Sequence, residues 1–227
     1  MKHLFIGLSI LASLLCQPFS QHLLAQNNTV EADSSWKNTY RAVATKVNNL
    51  KHTKLVASFN YQKSHMNGEV WLKLQPHFYP TSQLVLDAKA MDIKEVALVK
   101  GNFKTKLVYH YDSLQLHIDL DKTYTAKESY TIYIKYIARP NEYRGVGSEA
   151  IRDAKGMYFI NPLGTDKDKP TQIWTQGETE ASSVWIPTID KTNQKTTQEF
   201  YLTVPSKYVS LSNGLLVKQT DLKNGFR

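Results

Sequence analysis

Leu114-Gln115-Leu116-His117-Ile118-Asp119-Leu120 sets an apolar side chain at every second position. Successive side chains of an extended strand point to opposite faces, so this spacing gathers the four apolar residues on one side and Gln115, His117 and Asp119 on the other. Tyr130, Ile132, Ile134 and Tyr136 repeat the pattern downstream. Upstream, Leu55, Ala57, Phe59 and Tyr61 fall at every second position, and Val70, Leu72 and Leu74 do so after Asn67-Gly68. Asn-Gly between alternating runs predicts a tight hairpin turn there, because both residue types tolerate φ > 0. Leu84-Val85-Leu86 and Val96-Ala97-Leu98-Val99 read as two more strands. Later, Tyr201 to Val204 and Tyr208 to Leu211 flank Pro205, and a second Asn213-Gly214 turn precedes Leu215 to Lys218. Helix-period segments are nearly absent, while the 13 Tyr and 8 Phe suit strand packing. The pattern predicts an all-β fold, an antiparallel β-sandwich. Arg139 to Pro170, rich in Gly, Pro, Asn and Asp, reads as long loops, where function tends to sit.

The first residues speak to compartment. Met1-Lys2-His3 precedes an apolar run from Leu4 to Cys16. That run is about 13 residues long, short of the roughly 20 that span a bilayer. A basic start, a short apolar core and an exit at Leu23-Leu24-Ala25 are the marks of a secretory signal peptide. The expected organisation is therefore a signal peptide over 1–25, a polar leader over 26–41, and a β-domain over 42–227 that is truncated at its C-terminal end. The product is expected to be exported, periplasmic or extracellular, with no membrane span. Cys16 is the single cysteine, so disulfides and cysteine-based zinc sites are excluded from the mature part. The bulky Leu15 before it argues against lipidation. The formal charge is +8, but only five residues are Arg and the lysines are scattered. Nucleic-acid binders cluster their basic residues, so this spread excludes nucleic acid as the expected partner.

The most informative stretch is Gln172-Ile-Trp-Thr-Gln-Gly-Glu-Thr-Glu-Ala-Ser-Ser-Val-Trp-Ile-Pro-Thr-Ile-Asp190, followed by Lys195, Phe200 and the Leu202-Thr-Val-Pro205 run. Gln176, Glu178, Pro187, Asp190, Lys195 and Phe200 fall in the order and spacing of a Thr-Gln-x-Glu segment, then a Pro, an Asp three positions on, a Lys and an aromatic strand. Gly156-Met157-Tyr158 precedes it and Leu211-Ser212-Asn213-Gly214 follows. Together these resemble the N-terminal domain of the M1 family of zinc aminopeptidases. The sequence departs from that pattern at Ser182-Ser183, where the family has Arg, and at Thr188, where it often has Cys.

The resemblance implies an N-terminal substrate-recognition domain of an exported zinc metalloaminopeptidase, a hydrolase that removes N-terminal residues from peptides. It implies that Glu178 binds the free α-ammonium of the substrate and that Gln176 hydrogen-bonds the same end. An ammonium–carboxylate pair at roughly 4 Å and an effective dielectric near 20 is worth about 4 kcal/mol before desolvation, enough to measure one residue from a peptide's N-terminus. Asp190 reads as a structural acid that ties a turn, and Trp174 and Trp185 as packing anchors. The family's zinc needs His-Glu-x-x-His on a helix. None of the seven histidines, at 3, 22, 52, 65, 77, 110 and 117, makes that motif. No catalytic residue and no metal ligand is therefore expected in this chain. The zinc is expected to belong to a catalytic domain absent from it, and the fragment to be inactive alone. His117 falls on the polar side of its strand and is expected to face solvent. A stand-alone secreted β-sandwich module that binds carbohydrate or a protein partner is the alternative.

Overall fold

The computed structural model describes residues 42–145 and 152–227. The signal peptide, the leader and Cys16 lie outside the described residues. The described residues form eleven strands: β1 (Asn48–Asn60), β2 (His65–Pro76), β3 (Thr81–Asp87), β4 (Met91–Lys100), β5 (Phe103–Lys106), β6 (Tyr109–Tyr111), β7 (Gln115–Tyr124), β8 (Tyr130–Ala138), β9 (Met157–Ile160), β10 (Gln172–Thr175) and β11 (Thr197–Thr203). The only described helical pieces are 3-10 turns at Pro140–Glu142 and Ser182–Val184.

A six-stranded sheet runs β11-β1-β2-β8-β4-β5, a three-stranded sheet β3-β7-β6, and a two-stranded ribbon β10-β9. All pairings are antiparallel except β1 with β11, which is parallel. The alternation seen in the sequence decides what goes inside. Leu55, Val70, Leu72, Leu74, Ile132 and Ile134 of the large sheet share one core with Leu84, Leu86, Leu116 and Ile118 of the small one. Each fully buried side chain of this kind contributes about 1.5–3 kcal/mol. The all-β antiparallel architecture is thus as the sequence predicts.

The outer face of the large sheet carries Trp71 against Tyr133, centroids 4.9 Å apart. Lys54 Nζ lies over Trp71 and Tyr201, and Lys104 Nζ over Trp71 and, at 3.1 Å, Tyr133. The ammonium groups themselves sit against the ring faces as cation–π contacts. Tyr133 is left 2% exposed, while Tyr201 at the edge of the group remains 50% exposed.

Three local expectations change. Asn67-Gly68 is not a turn: both residues pair inside the β1–β2 ladder, opposite Ser58 and Ala57, and the hairpin turns earlier, over 61–64. Gly68 is needed because a Cβ there would overlap the ring of Tyr136, which crosses it from β8. Leu114 lies outside β7, half-exposed in the turn before it. Tyr208–Leu211 and Leu215–Lys218 form no strands, and Leu211 is 95% exposed. The neck of that segment is nonetheless fixed, since Val204 and Arg227 exchange both backbone hydrogen bonds. Within the expected loops, Met157–Ile160 forms β9, while 146–151 lie outside the described residues.

The two Asn-Gly glycines therefore differ in kind. Gly68→Ala forces the Tyr136 ring to move and is expected to lower unfolding free energy by about 1–3 kcal/mol. Gly214 has open space around it, and Gly214→Ala is expected to stay within about 0.5 kcal/mol of wild type. Urea denaturation of both variants reads the difference.

Candidate functional site

The loop from Gln176 to Asp190 leaves β10 and crosses one end of the sandwich. Its entry is fixed by the β9–β10 ribbon, in which Trp174 stacks on Tyr158, rings 4.4 Å apart and 13° from parallel. Gln176 N–H then donates to the Gly156 carbonyl at 2.9 Å. Gly156 sits at φ +68, and any Cβ on it would overlap the carbonyl oxygen of Ala181. That close approach folds the loop back on its own entrance and explains a glycine in the Gly-Met-Tyr segment.

The far side of the loop is clamped by residues about a hundred positions upstream. Asp87 and Thr188 exchange backbone hydrogen bonds at 2.8 and 3.0 Å, and Lys89 N–H donates to the Ser183 carbonyl at 2.8 Å. The Asp190 carboxylate accepts the Ser183 N–H at 2.8 Å, while Asp190 N–H donates to the Asp87 carboxylate at 3.0 Å. Asp190 is therefore the turn-tying acid the sequence implies. Tyr136, fully buried, donates its hydroxyl to the Trp185 carbonyl at 3.0 Å. Burial pushes that phenol well above its ordinary range, so it stays a donor. Trp185 packs edge-on against Phe200 as an anchor, and its indole N–H has no partner among the described residues. Trp174 differs from the expectation: stacked on Tyr158, it remains 46% exposed.

The acids of the loop meet three different fates. Asp190 is drawn inward. Glu180 is bound by Lys191, Oε2 to Nζ 2.8 Å, and its carbonyl accepts the Lys89 ammonium. The Lys191 pKa is raised, first by its hydrogen bond to Glu180. Glu178 is exposed and makes no ion pair with another described residue. Its contact is Gln176 Nε2, 3.5 Å from Oε2, so the two predicted site residues lie side by side. Lys89 and Asp87, which shape this arrangement, carry no local sequence signal, because their partners lie about a hundred positions along the chain, and Lys191 reaches Glu180 only through the turns between them. What remains at the surface is one free carboxylate beside one amide, a set able to hold an ammonium group. Among the described residues no cluster of three or more His, Cys, Asp or Glu is placed to hold a metal ion. The donor set for a catalytic zinc is thus not supplied by them.

The chain matches the profile of the family described as Peptidase M1 N-terminal domain over residues 49–227. No curated protein matches it in sequence. Solved structures do align with it. An M1 zinc metallopeptidase from Deinococcus radiodurans superposes with a TM-score of 0.66 at 19% identity, over 82% of this chain and 39% of that one. A two-domain M1 zinc metallopeptidase variant bound to L-arginine gives 0.65 at 16% identity with the same coverages. Yeast LTA4 hydrolase in complex with bestatin gives 0.57 at 18% identity, over 85% of this chain and 29% of that one. At these identities the likeness is one of fold. The chain spans 39% of the length of the metallopeptidases it aligns with.

Asp190 supplies a test of the clamp. Its pKa is raised, chiefly by burial, against the lowering effect of the Ser183 hydrogen bonds. The folded state thus holds this proton more tightly than the unfolded chain. Its contribution to stability is fully present below the unfolded value, about 3.9, and is lost as pH rises through the higher folded value. Asp190→Asn keeps an acceptor for Ser183 N–H and removes the buried charge. Relative to wild type it is expected to be more stable at pH 7 than at pH 3.5. Asp190→Ala leaves that buried N–H unpaired and is expected to cost about 1–3 kcal/mol. Denaturant titrations at the two pH values measure both.

Proposed function

The chain belongs to the Peptidase M1 N-terminal domain family, and we propose that it is the substrate-recognition domain of an exported zinc metalloaminopeptidase that removes N-terminal residues from peptides. In this reading Glu178 pairs with the α-ammonium of the peptide and Gln176 hydrogen-bonds the same end. The observation that carries it is the sorting of acids within one loop. Glu180 is neutralised by Lys191 and Asp190 is committed to the turn, while Glu178 is left exposed beside Gln176. A carboxylate whose own fold provides no cation is available for one that arrives with the substrate.

The zinc of such an enzyme activates water and polarises the scissile carbonyl. The described residues do not form its ligand set, and the metal belongs in this reading to a catalytic domain that meets the Gln176–Asp190 loop. Export is supported by the Met1–Ala25 pattern of a basic start, a short apolar core and a small-residue exit.

The test uses the protein with its catalytic portion. Glu178→Ala is expected to lower kcat/KM for free-amine dipeptide arylamides by about 10²–10³-fold, mainly through KM, because a charge pair with substrate is lost. Glu180→Ala is expected to change it by less than about threefold, since that acid serves an exposed ion pair. Equal effects of the two substitutions would overturn the assignment of Glu178. Turnover of the same substrates by the pure 227-residue chain would overturn the reading of this chain as the recognition part.

A further inference from the structure

The three-stranded sheet brings together two histidines from neighbouring strands. His110 on β6 and His117 on β7 are direct partners in the ladder, and their ring centroids lie 6.3 Å apart at an interplanar angle of 44°. The frame around them is fixed. Met91 N–H donates to the Tyr111 hydroxyl at 2.7 Å, and Leu116 and Ile118 are buried. With those residues committed inward, the alternate positions 110 and 117 face solvent on one side of the sheet. The β6–β7 turn is tied by Asp112, whose carboxylate accepts the N–H groups of Leu114 and Gln115 at 2.8 and 2.6 Å. Those two backbone hydrogen bonds hold the Asp112 carboxyl below its usual range, and both imidazoles lie within its electrostatic reach. Neither imidazole makes a hydrogen bond or ion pair with another described residue. His52, by contrast, is engaged by Thr197 and Glu199, and His65 by Glu142.

We propose that His110 and His117 form a two-imidazole chelate for a divalent transition-metal ion, Cu(II) most strongly. Two imidazoles that share an ion through nitrogens about 2.0–2.1 Å from it have ring centres roughly 4.5 Å apart at a right angle and about 6.4 Å apart when opposite each other. The observed 6.3 Å lies at the wide end of that range, so rotations of the two exposed side chains bring their nitrogens onto one ion with no movement of the strands. Imidazole donors suit Cu, Ni and Zn, and affinity at a given nitrogen site rises to Cu(II) and falls again at Zn(II). The remaining coordination positions face water, which leaves the bound ion open to a further ligand. This assignment changes the expectation that the chain holds no metal of its own. That expectation came from the missing His-Glu-x-x-His motif and from reading His117 as a solvent-facing imidazole, whereas here two solvent-facing imidazoles meet across a sheet.

The experiment titrates the full chain with CuCl2, NiCl2 and ZnCl2 in a non-chelating buffer. It is done in a His3→Ala background, since a terminal amine followed by histidine at the third position is itself a copper ligand. One Cu(II) per chain is expected at the sheet. Backbone amide signals of residues 109–111 and 116–118 should be broadened selectively by the paramagnetic ion. His110→Ala and His117→Ala, both on an exposed face, should each weaken binding by roughly tenfold or more while leaving the unfolding midpoint unchanged. His52→Ala should not weaken it. Unchanged affinity in both sheet variants, broadening confined to other residues, or no binding at all would overturn the proposal.

Discussion

Tyr136 is the one side chain on which the geometry of this domain most depends. It starts on β8 in the middle of the large sheet, passes over Gly68 of β2, and ends with its hydroxyl on the Trp185 carbonyl. It therefore joins the sheet to the loop that carries Gln176 and Glu178. The contact works because β2 offers a position with no Cβ where the ring must cross. It persists because a buried phenol keeps its proton and needs an acceptor. The Asp87–Thr188 backbone pair and the Asp190–Ser183 hydrogen bond clamp the other side of the same loop. A surface segment with little regular secondary structure is thereby held from two directions by groups that cannot be left unpaired.

That anchoring sorts the charges. Of the acids between Gln176 and Asp190, one goes inward as an acceptor, one is matched by lysine, and one faces solvent without a cation of its own. The sorting turns on distance rather than composition. Glu178 and Glu180 have the same parity in an extended chain, but only the Glu180 carboxylate comes within reach of Lys191, while Lys89 donates to the Glu180 backbone carbonyl. A carboxylate left without a cation among the described residues is a group able to accept an ammonium.

The unstructured apolar segment after β11 obeys the same logic in the opposite sense. Val209, Leu211, Leu215, Leu216 and Val217 carry a strand-like pattern, yet they stay exposed and unpaired. A strand is stabilised by backbone hydrogen bonds to a neighbour and by burial of one face. The pattern states a preference, and without a neighbouring strand among the described residues that preference has nothing to act on.

The sequence alone determined the strand content, the identity of the core face on β1, β2, β7 and β8, and the family resemblance of the 172–200 stretch. These rest on period-two alternation and on local motifs, both written in consecutive residues. It also determined that a zinc-binding helix motif is missing, because that motif is contiguous. Only the tertiary structure decided that Gly68 is a crossing point rather than a turn, that Glu180 is spoken for while Glu178 is not, and that His110 faces His117. Each of those outcomes depends on which residue arrives opposite: Tyr136 over Gly68 from 68 positions away, Lys191 beside Glu180 across the turns of one loop, β7 against β6 across a tight hairpin. The first is set by the closing of the whole core, and the other two by the path of an irregular turn, which period-two alternation does not encode.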